Sequence, residues 1–165
     1  MTVRIAGFTE DSIVDGNGIR YTIYFQGCNH GCKGCHNPET HSIDGGTEYD
    51  ISDILSLIDS QHLASGITLS GGDPFLQPEQ AVEICKYVHS KGKSIWCYTG
   101  YTFEQIINSG DDRYIELLTN TDVLVDGRFD IDKKSLDIAF SGSSNQRLID
   151  VKKSLDMGYV VEWEV

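Results

Sequence analysis

Short apolar runs alternate with amphipathic segments along nearly the whole chain, and this alternation restricts the possible folds more than any other property of the sequence. The first residues read as a strand, and further strand patterns rich in β-branched and aromatic side chains cover residues 19–26, 66–70, 94–98, 122–126 and 159–163. Helices are predicted after an Asp50 N-cap, from Pro78, after a Thr102 capping box and over residues 147–157. Strands that alternate with helices predict a mostly parallel sheet.

The length of the chain limits how that sheet can close. The 165 residues suffice for one hydrophobic core, so we expect a single domain spanning residues 1–165. About five or six strands are too few for a closed eight-stranded barrel, which needs roughly 250 residues. We therefore expect an α/β fold with an open, partial (β/α) barrel. Its functional loops should collect at the carboxyl ends of the strands.

A cysteine-rich loop follows the predicted strand at residues 19–26. Cys28, Cys32 and Cys35 stand at C-x3-C-x2-C spacing, and they are three of the five cysteines in the chain. The amino terminus lacks the apolar stretch of a signal peptide, so the expected location is the cytoplasm, where thiols stay reduced and clustered cysteines bind metals. Three thiolates on one short loop can hold three irons of a [4Fe–4S] cluster, and the fourth iron is then open to a ligand.

Zinc is the alternative metal for this loop. Three cysteines with His30 or His36 as the fourth ligand would suit a structural zinc site. The chain would then be a non-catalytic interaction module stabilised by zinc, and the absence of iron and acid-labile sulfide would identify it. Cys85 and Cys97 lie in apolar contexts and are predicted to be core side chains.

Charge and hydropathy exclude two classes of partner. The formal net charge is −12 and the basic residues form no cluster, so a polyanion would be repelled and direct nucleic-acid binding is not expected. No apolar run approaches the ~20 residues that cross a bilayer, so membrane insertion is not expected either. A small molecule or a protein partner remains.

Three further motifs follow predicted strands. Gly71 and Gly72 lie in a Ser-Gly-Gly-Asp-Pro turn, where bare glycines would expose backbone groups to a ligand; an ordinary strand-to-helix turn is the simpler interpretation. Thr99 follows the next strand and could hydrogen-bond a ribose or a carboxylate. Asp126 and Arg128 follow the strand after it and would place an acid and a base at the same rim, unless they form only a surface ion pair.

Together these motifs resemble one family, the activating enzymes of glycyl-radical enzymes in the radical S-adenosylmethionine superfamily. The resemblance covers nearly the whole chain and rests on residues 14–20, 27–40, 69–74, 98–101, 125–129 and 142–146. It implies a [4Fe–4S] cluster and S-adenosylmethionine as cofactors. The short chain and the last three of these segments favour the branch that serves anaerobic ribonucleoside-triphosphate reductase.

The resemblance also implies roles for individual residues. The three loop cysteines would be the catalytic, cluster-binding residues. Gly34, Cys35 and His36 would contact the adenosyl part of S-adenosylmethionine, and Gly72, next to Gly71, would contact the methionyl part. Thr99 is assigned to the same cofactor site from its own position after a strand, and the resemblance gives it no role.

The implied reaction has a protein as its substrate. Reductive cleavage of S-adenosylmethionine would yield a 5′-deoxyadenosyl radical, which would take a Cα hydrogen from one glycine of a large partner enzyme. The expected partner is anaerobic ribonucleoside-triphosphate reductase, and the electron donor would be a protein such as flavodoxin or ferredoxin. An activase for another glycyl-radical enzyme, of the formate-lyase type, is the alternative within the same family.

Overall fold

The computed structural model of the chain describes residues 1–35 and 37–164. Its strands are β1 (Thr2–Ser12), β2 (Arg20–Phe25), β3 (Thr47–Asp50), β4 (Gly66–Gly71), β5 (Ser94–Tyr98), β6 (Val123–Asp126) and β7 (Arg147–Asp150). Its α-helices are α1 (Ile51–Asp59), α2 (Pro78–Ser90), α3 (Phe103–Ile107), α4 (Asp112–Thr119) and α5 (Val151–Met157). Within the described residues, no helix is both long enough and apolar enough to span a bilayer.

The seven strands form one open sheet in the order β3-β1-β2-β4-β5-β6-β7. The four strands β2, β4, β5 and β6 pair in parallel, whereas β1 and β7 run antiparallel to their neighbours. Because β3 is antiparallel to β1, it points the same way as β2, and five of the seven strands share one direction. The predicted α/β fold with an open, mostly parallel sheet is confirmed, and the structure adds the antiparallel strands.

The two faces of the sheet are covered differently. Side chains alternate between the faces, so Ile95 and Cys97 of β5 enter one core while Trp96 enters another. The first core is large and receives side chains from all five α-helices. The second is small, contains no helical residue, and is covered by Phe140 and Trp163 from irregular segments. Helices therefore close only one face and leave the other to loops.

A buried arginine fixes the loop at residues 13–19 to this second face. The Arg20 side chain is 1% exposed and donates hydrogen bonds to Thr68 Oγ1 (2.8 Å), Asn17 O (3.0 Å) and Ser94 O (3.0 Å). Burial lowers the pKa of Arg20 to about 10, so the guanidinium stays charged at neutral pH. The Thr68 hydroxyl in turn donates to Asp15 O (2.6 Å), which holds the loop on the sheet.

Two predictions at the end of the chain are wrong. The predicted helix over residues 147–157 is a helix only from Val151, because Leu148 and Ile149 point to opposite faces of the sheet and pair with β6. The predicted strand at residues 159–163 reduces to a single bridge between Ile149 and Glu162. Strand β3 and helix α4 were not predicted.

The assignment of residues 1–165 to a single domain stays a prediction. The single sheet and the large core that draws on every α-helix support it.

Candidate functional site

The carboxyl ends of β2, β4, β5 and β6 surround one cavity of about 640 Å³. From these strand ends its lining includes Cys28, His30, Cys32, Cys35, Ser70, Gly71, Gly72, Tyr98, Thr99, Gly100 and Gly127. The cavity is as large as pockets that hold small organic cofactors. The loops that carry the predicted site residues therefore gather at this edge of the sheet, as expected.

Backbone hydrogen bonds hold the base of the cysteine loop. Gly27 N–H donates to Thr40 O (2.6 Å), and Cys28 N–H donates to His41 O (3.1 Å). The short 3-10 helix Pro38–Thr40 therefore closes the loop on itself. Of the described residues between these ties, those that line the cavity are His30, Cys32, Cys35 and Asn37.

The three loop thiols are free and half-buried. Burial raises the pKa of Cys28 and of Cys32, while backbone N–H groups of His30 and Phe129 act in the opposite direction on Cys28 and Cys32 respectively. Binding to a metal deprotonates such thiols. Three soft sulfur donors on one side of a cavity fit an iron–sulfur cluster, which spreads its protein ligands over several irons.

A single-ion site receives no support from the described residues. Among them, no three His, Cys, Asp or Glu side chains are arranged to hold one metal ion, as structural zinc would require. His30 is turned toward Asp73, with 2.5 Å between His30 Nε2 and Asp73 Oδ2. His36, the other predicted zinc ligand and an implied adenosyl contact, lies outside the described residues.

The glycine turn after β4 is pressed against the base of the cysteine loop. Gly71 has φ +99°, and a Cβ atom there would lie 2.4 Å from Phe25 N. A Cβ atom on Gly72 would lie 2.2 Å from Gly27 O. Both glycines are therefore required by packing. The same contacts bring bare backbone to the cavity beside the three thiols.

The Thr99 hydroxyl, expected to bind a ligand, is engaged within the protein. Thr99 is 5% exposed, and its Oγ1 donates to both carboxylate oxygens of Asp73 at 3.0 and 2.9 Å. Thr99 still lines the cavity. Gly34 lies outside the cavity lining, because it packs against Ile131, whose Cδ1 would be 2.4 Å from a Cβ atom on Gly34.

Asp126, at the end of β6, pairs with Arg147 and not with its sequence neighbour Arg128. Asp126 is 1% exposed and accepts from Arg147 Nη2 (2.6 Å), and Arg147 also contacts Glu104 (2.7 Å). Arg128 is exposed and lines a second, polar cavity of about 720 Å³ with these three residues. Sequence reasoning missed Arg147, because it lies 21 positions from Asp126 and no local pattern connects the two.

Replacing Arg147 with glutamine should lower the free energy of unfolding by about 2 kcal/mol at pH 7, because the buried Asp126 carboxylate loses its cation. A hydrogen bond from Arg147 is the main reason that the pKa of Glu104 lies below its ordinary 4.5. The contact between Arg147 and Glu104 therefore stabilises the fold above pH 4.5. This stabilisation is lost as the pH falls through the lowered pKa of Glu104. Urea unfolding at pH 7 and pH 4 should show a smaller acid-induced loss in Arg147→Gln than in the parent protein. An equal loss in both proteins would contradict this role.

An apolar wall that the sequence did not reveal completes the first cavity. Leu136, Ile138 and Phe140 line it from the segment between β6 and β7, which reads as a polar, irregular loop. The Tyr98 hydroxyl donates to Phe140 O and ties this segment to β5. Ile13, from the loop before β2, also lines the cavity and is 70% exposed. Polar groups thus lie at the strand ends, with apolar side chains around them.

Comparisons with known proteins find a family and relatives that match most of the chain. The sequence profile of the family described as "4Fe-4S single cluster domain" matches residues 14–149. The anaerobic ribonucleoside-triphosphate reductase-activating protein of Pasteurella multocida is 34% identical over 143 residues, which cover 81% of this chain and 89% of that protein. The protein of the same name from Escherichia coli K12 is 37% identical over 143 residues, with 81% and 90% covered. The one from Enterobacteria phage T4 is 34% identical over 142 residues, with 82% and 86% covered.

A solved structure shares the fold. The crystal structure of QueE from Escherichia coli superimposes with a TM-score of 0.53 at 18% sequence identity, covering 62% of this chain and 54% of QueE. At this identity the likeness concerns the arrangement of strands and helices alone.

Proposed function

Since the chain belongs to the 4Fe-4S single cluster domain family and to the family of anaerobic ribonucleoside-triphosphate reductase-activating proteins, we propose that it generates a glycyl radical on such a reductase. The chain is a radical S-adenosylmethionine enzyme of the activating type, and its cofactors are a [4Fe–4S] cluster and S-adenosylmethionine. The residues that bind these cofactors and the steps of the reaction are part of the proposal.

One observation supports the proposal most strongly. Cys28, Cys32 and Cys35 line the same cavity as the Gly71–Gly72 backbone, although 36 positions separate Cys35 from Gly71 in the sequence. Cluster and cofactor would thus share one cavity. Electron transfer between them requires this proximity.

The three thiolates would hold three irons and leave the fourth iron without a protein ligand. A reduced cluster bound there would supply one electron for the cleavage of S-adenosylmethionine to methionine and a 5′-deoxyadenosyl radical, and this radical would take a Cα hydrogen from a glycine of the partner. The protein contributes binding and orientation. Gly71 and Gly72 line the cavity, so their backbone groups would be available to the methionyl part.

The remaining lining would protect and orient the cofactor. Phe129 and Phe140 are partly buried apolar side chains in the lining and would help to exclude water from a reactive species. The predicted contact of Gly34 with the adenosyl part stays a prediction. The predicted contact of His36 stays a prediction.

The substrate would be a backbone glycine of the reductase. A glycine suits this reaction because its Cα radical is delocalised into the flanking amides and no side chain blocks the approach. Ile13 and Leu136 line the cavity and are 70% and 90% exposed, so a loop of the reductase would reach the cavity beside them. The electron would come from a small redox protein such as flavodoxin or ferredoxin, and the reaction would take place in the cytoplasm. Activation of a formate-lyase type enzyme is less favoured, because the relatives reported above are reductase activators.

The proposal is tested by anaerobic incubation of the iron-loaded protein with a reductant, S-adenosylmethionine and the reductase. We expect 5′-deoxyadenosine in the chromatogram and a glycyl-radical signal in the electron paramagnetic resonance spectrum, both only when every component is present. A reductase whose radical-bearing glycine is replaced by alanine serves as the control and should give no radical signal. Absence of 5′-deoxyadenosine from protein with a complete cluster would contradict the proposal.

A further inference from the structure

The carboxylate of Asp73 lies at the junction of three segments that line the first cavity. It is 0% exposed and accepts from Phe75 N (3.0 Å), which caps the 3-10 helix Pro74–Leu76. It also accepts from Thr99 Oγ1 and from Gly100 N (3.0 Å) at the end of β5. The fourth partner is His30 of the cysteine loop. A residue that only capped a short helix would not need the last three partners.

The ring of His30 fits a slot built for it. Its side chain is 3% exposed, and Nε2 lies 2.5 Å from Asp73 Oδ2. Because the other neighbours of that carboxylate are donors, Nε2 carries the proton and donates. The ring meets Tyr101 edge-on with centroids 4.6 Å apart, and a Cβ atom on Gly100 would lie 2.5 Å from His30 Cδ2. The bare Gly100 thus makes room for the imidazole.

The hydrogen bond between His30 and Asp73 holds a part of the cysteine loop that the backbone hydrogen bonds to the glycine turn do not reach. Asp73 N–H donates to Gly27 O (2.8 Å) and Gly72 N–H donates to Phe25 O (2.8 Å), and both bonds lie at the base of the loop. His30 stands further along, between the first two cysteines. Its bond to Asp73 therefore ties the portion of the loop that carries the thiols to the glycine turn.

We propose that His30 and Asp73 are positioning residues that hold the cysteine loop and the Gly71–Gly72 turn at a fixed separation. The inference rests on the proposed function, since it matters only if the loop carries the cluster and the turn binds S-adenosylmethionine. The pair would then set how the methionyl group lies against the open iron. Without it, the cluster can still assemble on the three thiolates, but the cofactor binds in a poorly defined position.

Two substitutions of His30 distinguish the effect of its hydrogen bond from the effect of its ring volume. His30→Phe keeps an aromatic ring in the slot and removes the donor, whereas His30→Gln keeps a donor near the position of Nε2 and removes the ring. We expect His30→Phe to retain the iron content of the parent protein and to bind S-adenosylmethionine about 10-fold more weakly, as for loss of one charge-assisted hydrogen bond. His30→Gln should stay within about 3-fold of the parent protein.

The readouts are iron content, the dissociation constant of S-adenosylmethionine from anaerobic calorimetry, and the change that this cofactor causes in the spectrum of the reduced cluster. Asp73→Asn, which keeps the shape of the side chain, should weaken binding similarly. The double variant His30→Phe/Asp73→Asn should show less weakening than the two single effects added together, because both changes remove the same His30–Asp73 hydrogen bond.

Parent-like binding by His30→Phe overturns the inference, as does additive weakening in the double variant. If His30→Phe assembles no cluster while His30→Gln does, the pair is needed to assemble the cluster and does not set the separation of the loop from the glycine turn. That result also overturns the inference. The parent protein distinguishes this failure from that of the proposed function: if it carries a cluster but does not bind S-adenosylmethionine, the proposed function itself is wrong.

Discussion

Replacing Cys32 with serine should abolish cluster binding and all radical formation. Serine keeps the shape of the side chain, but its hydroxyl is a harder and far less acidic ligand than a thiol, so one of the three protein bonds to the cluster is lost. Iron in the anaerobically reconstituted protein should fall from about four atoms per chain to near zero. Neither 5′-deoxyadenosine nor a glycyl-radical signal should appear above background.

Cys85→Ala is the matched control for this experiment. Cys85 is fully buried in the large core on α2, and its burial raises the pKa of the thiol far above the range of a metal ligand at neutral pH. The substitution should cost about 1 kcal/mol of stability and leave iron content and radical yield unchanged. Full iron content and radical yield in Cys32→Ser would remove Cys32 from the ligand set.

Replacing Gly72 with alanine should damage both stability and catalysis. The new Cβ would lie 2.2 Å from Gly27 O and 2.9 Å from Thr40 O, so the turn and the base of the cysteine loop must move apart. Overpacking of this kind costs about 1–3 kcal/mol of unfolding free energy. A shift of about 1 Å between cluster and cofactor should lower the rate of S-adenosylmethionine cleavage by roughly 10²-fold.

Gly7→Ala is the control for the glycine turn. Gly7 lies in β1, and a Cβ atom there would meet no heavy atom within 4 Å. Its unfolding free energy and its cleavage rate should match those of the parent protein. If Gly72→Ala has the same unfolding free energy and the same cleavage rate as Gly7→Ala, the close packing of the turn on the cysteine loop is not required for function.

The parts of the site that the sequence predicted are those that a local pattern encodes. The cysteine spacing, the glycine turn and the strand before each of them are readable within a few residues of chain. Because parallel strands present their carboxyl ends at one edge, the convergence of Cys28, Gly72 and Thr99 on one cavity follows from the strand order alone. The inward positions of Cys85 and Cys97 follow from the apolar segments around them.

The parts that the sequence did not predict depend on pairs distant along the chain. His30 and Asp73 are 43 positions apart; the sequence pattern indicates His30 only as a possible zinc ligand and assigns no role to Asp73. The wall that includes Phe140 belongs to an irregular segment without periodicity. The misassigned start of the last helix has the same origin, because Leu148 and Ile149 suit a helix until β6 provides a strand to pair with.

Hyperfine spectroscopy of the reduced, iron-loaded protein can detect whether S-adenosylmethionine binds the open iron. The cofactor is labelled at its amino nitrogen and its carboxylate oxygens and added without oxygen. A cluster held by only Cys28, Cys32 and Cys35 should show magnetic coupling between the unpaired electron and both labels, because one iron is free to bind the methionyl group. A metal centre whose positions are all filled by side chains, with no coupling to either label, would contradict the claim that one iron is open to S-adenosylmethionine.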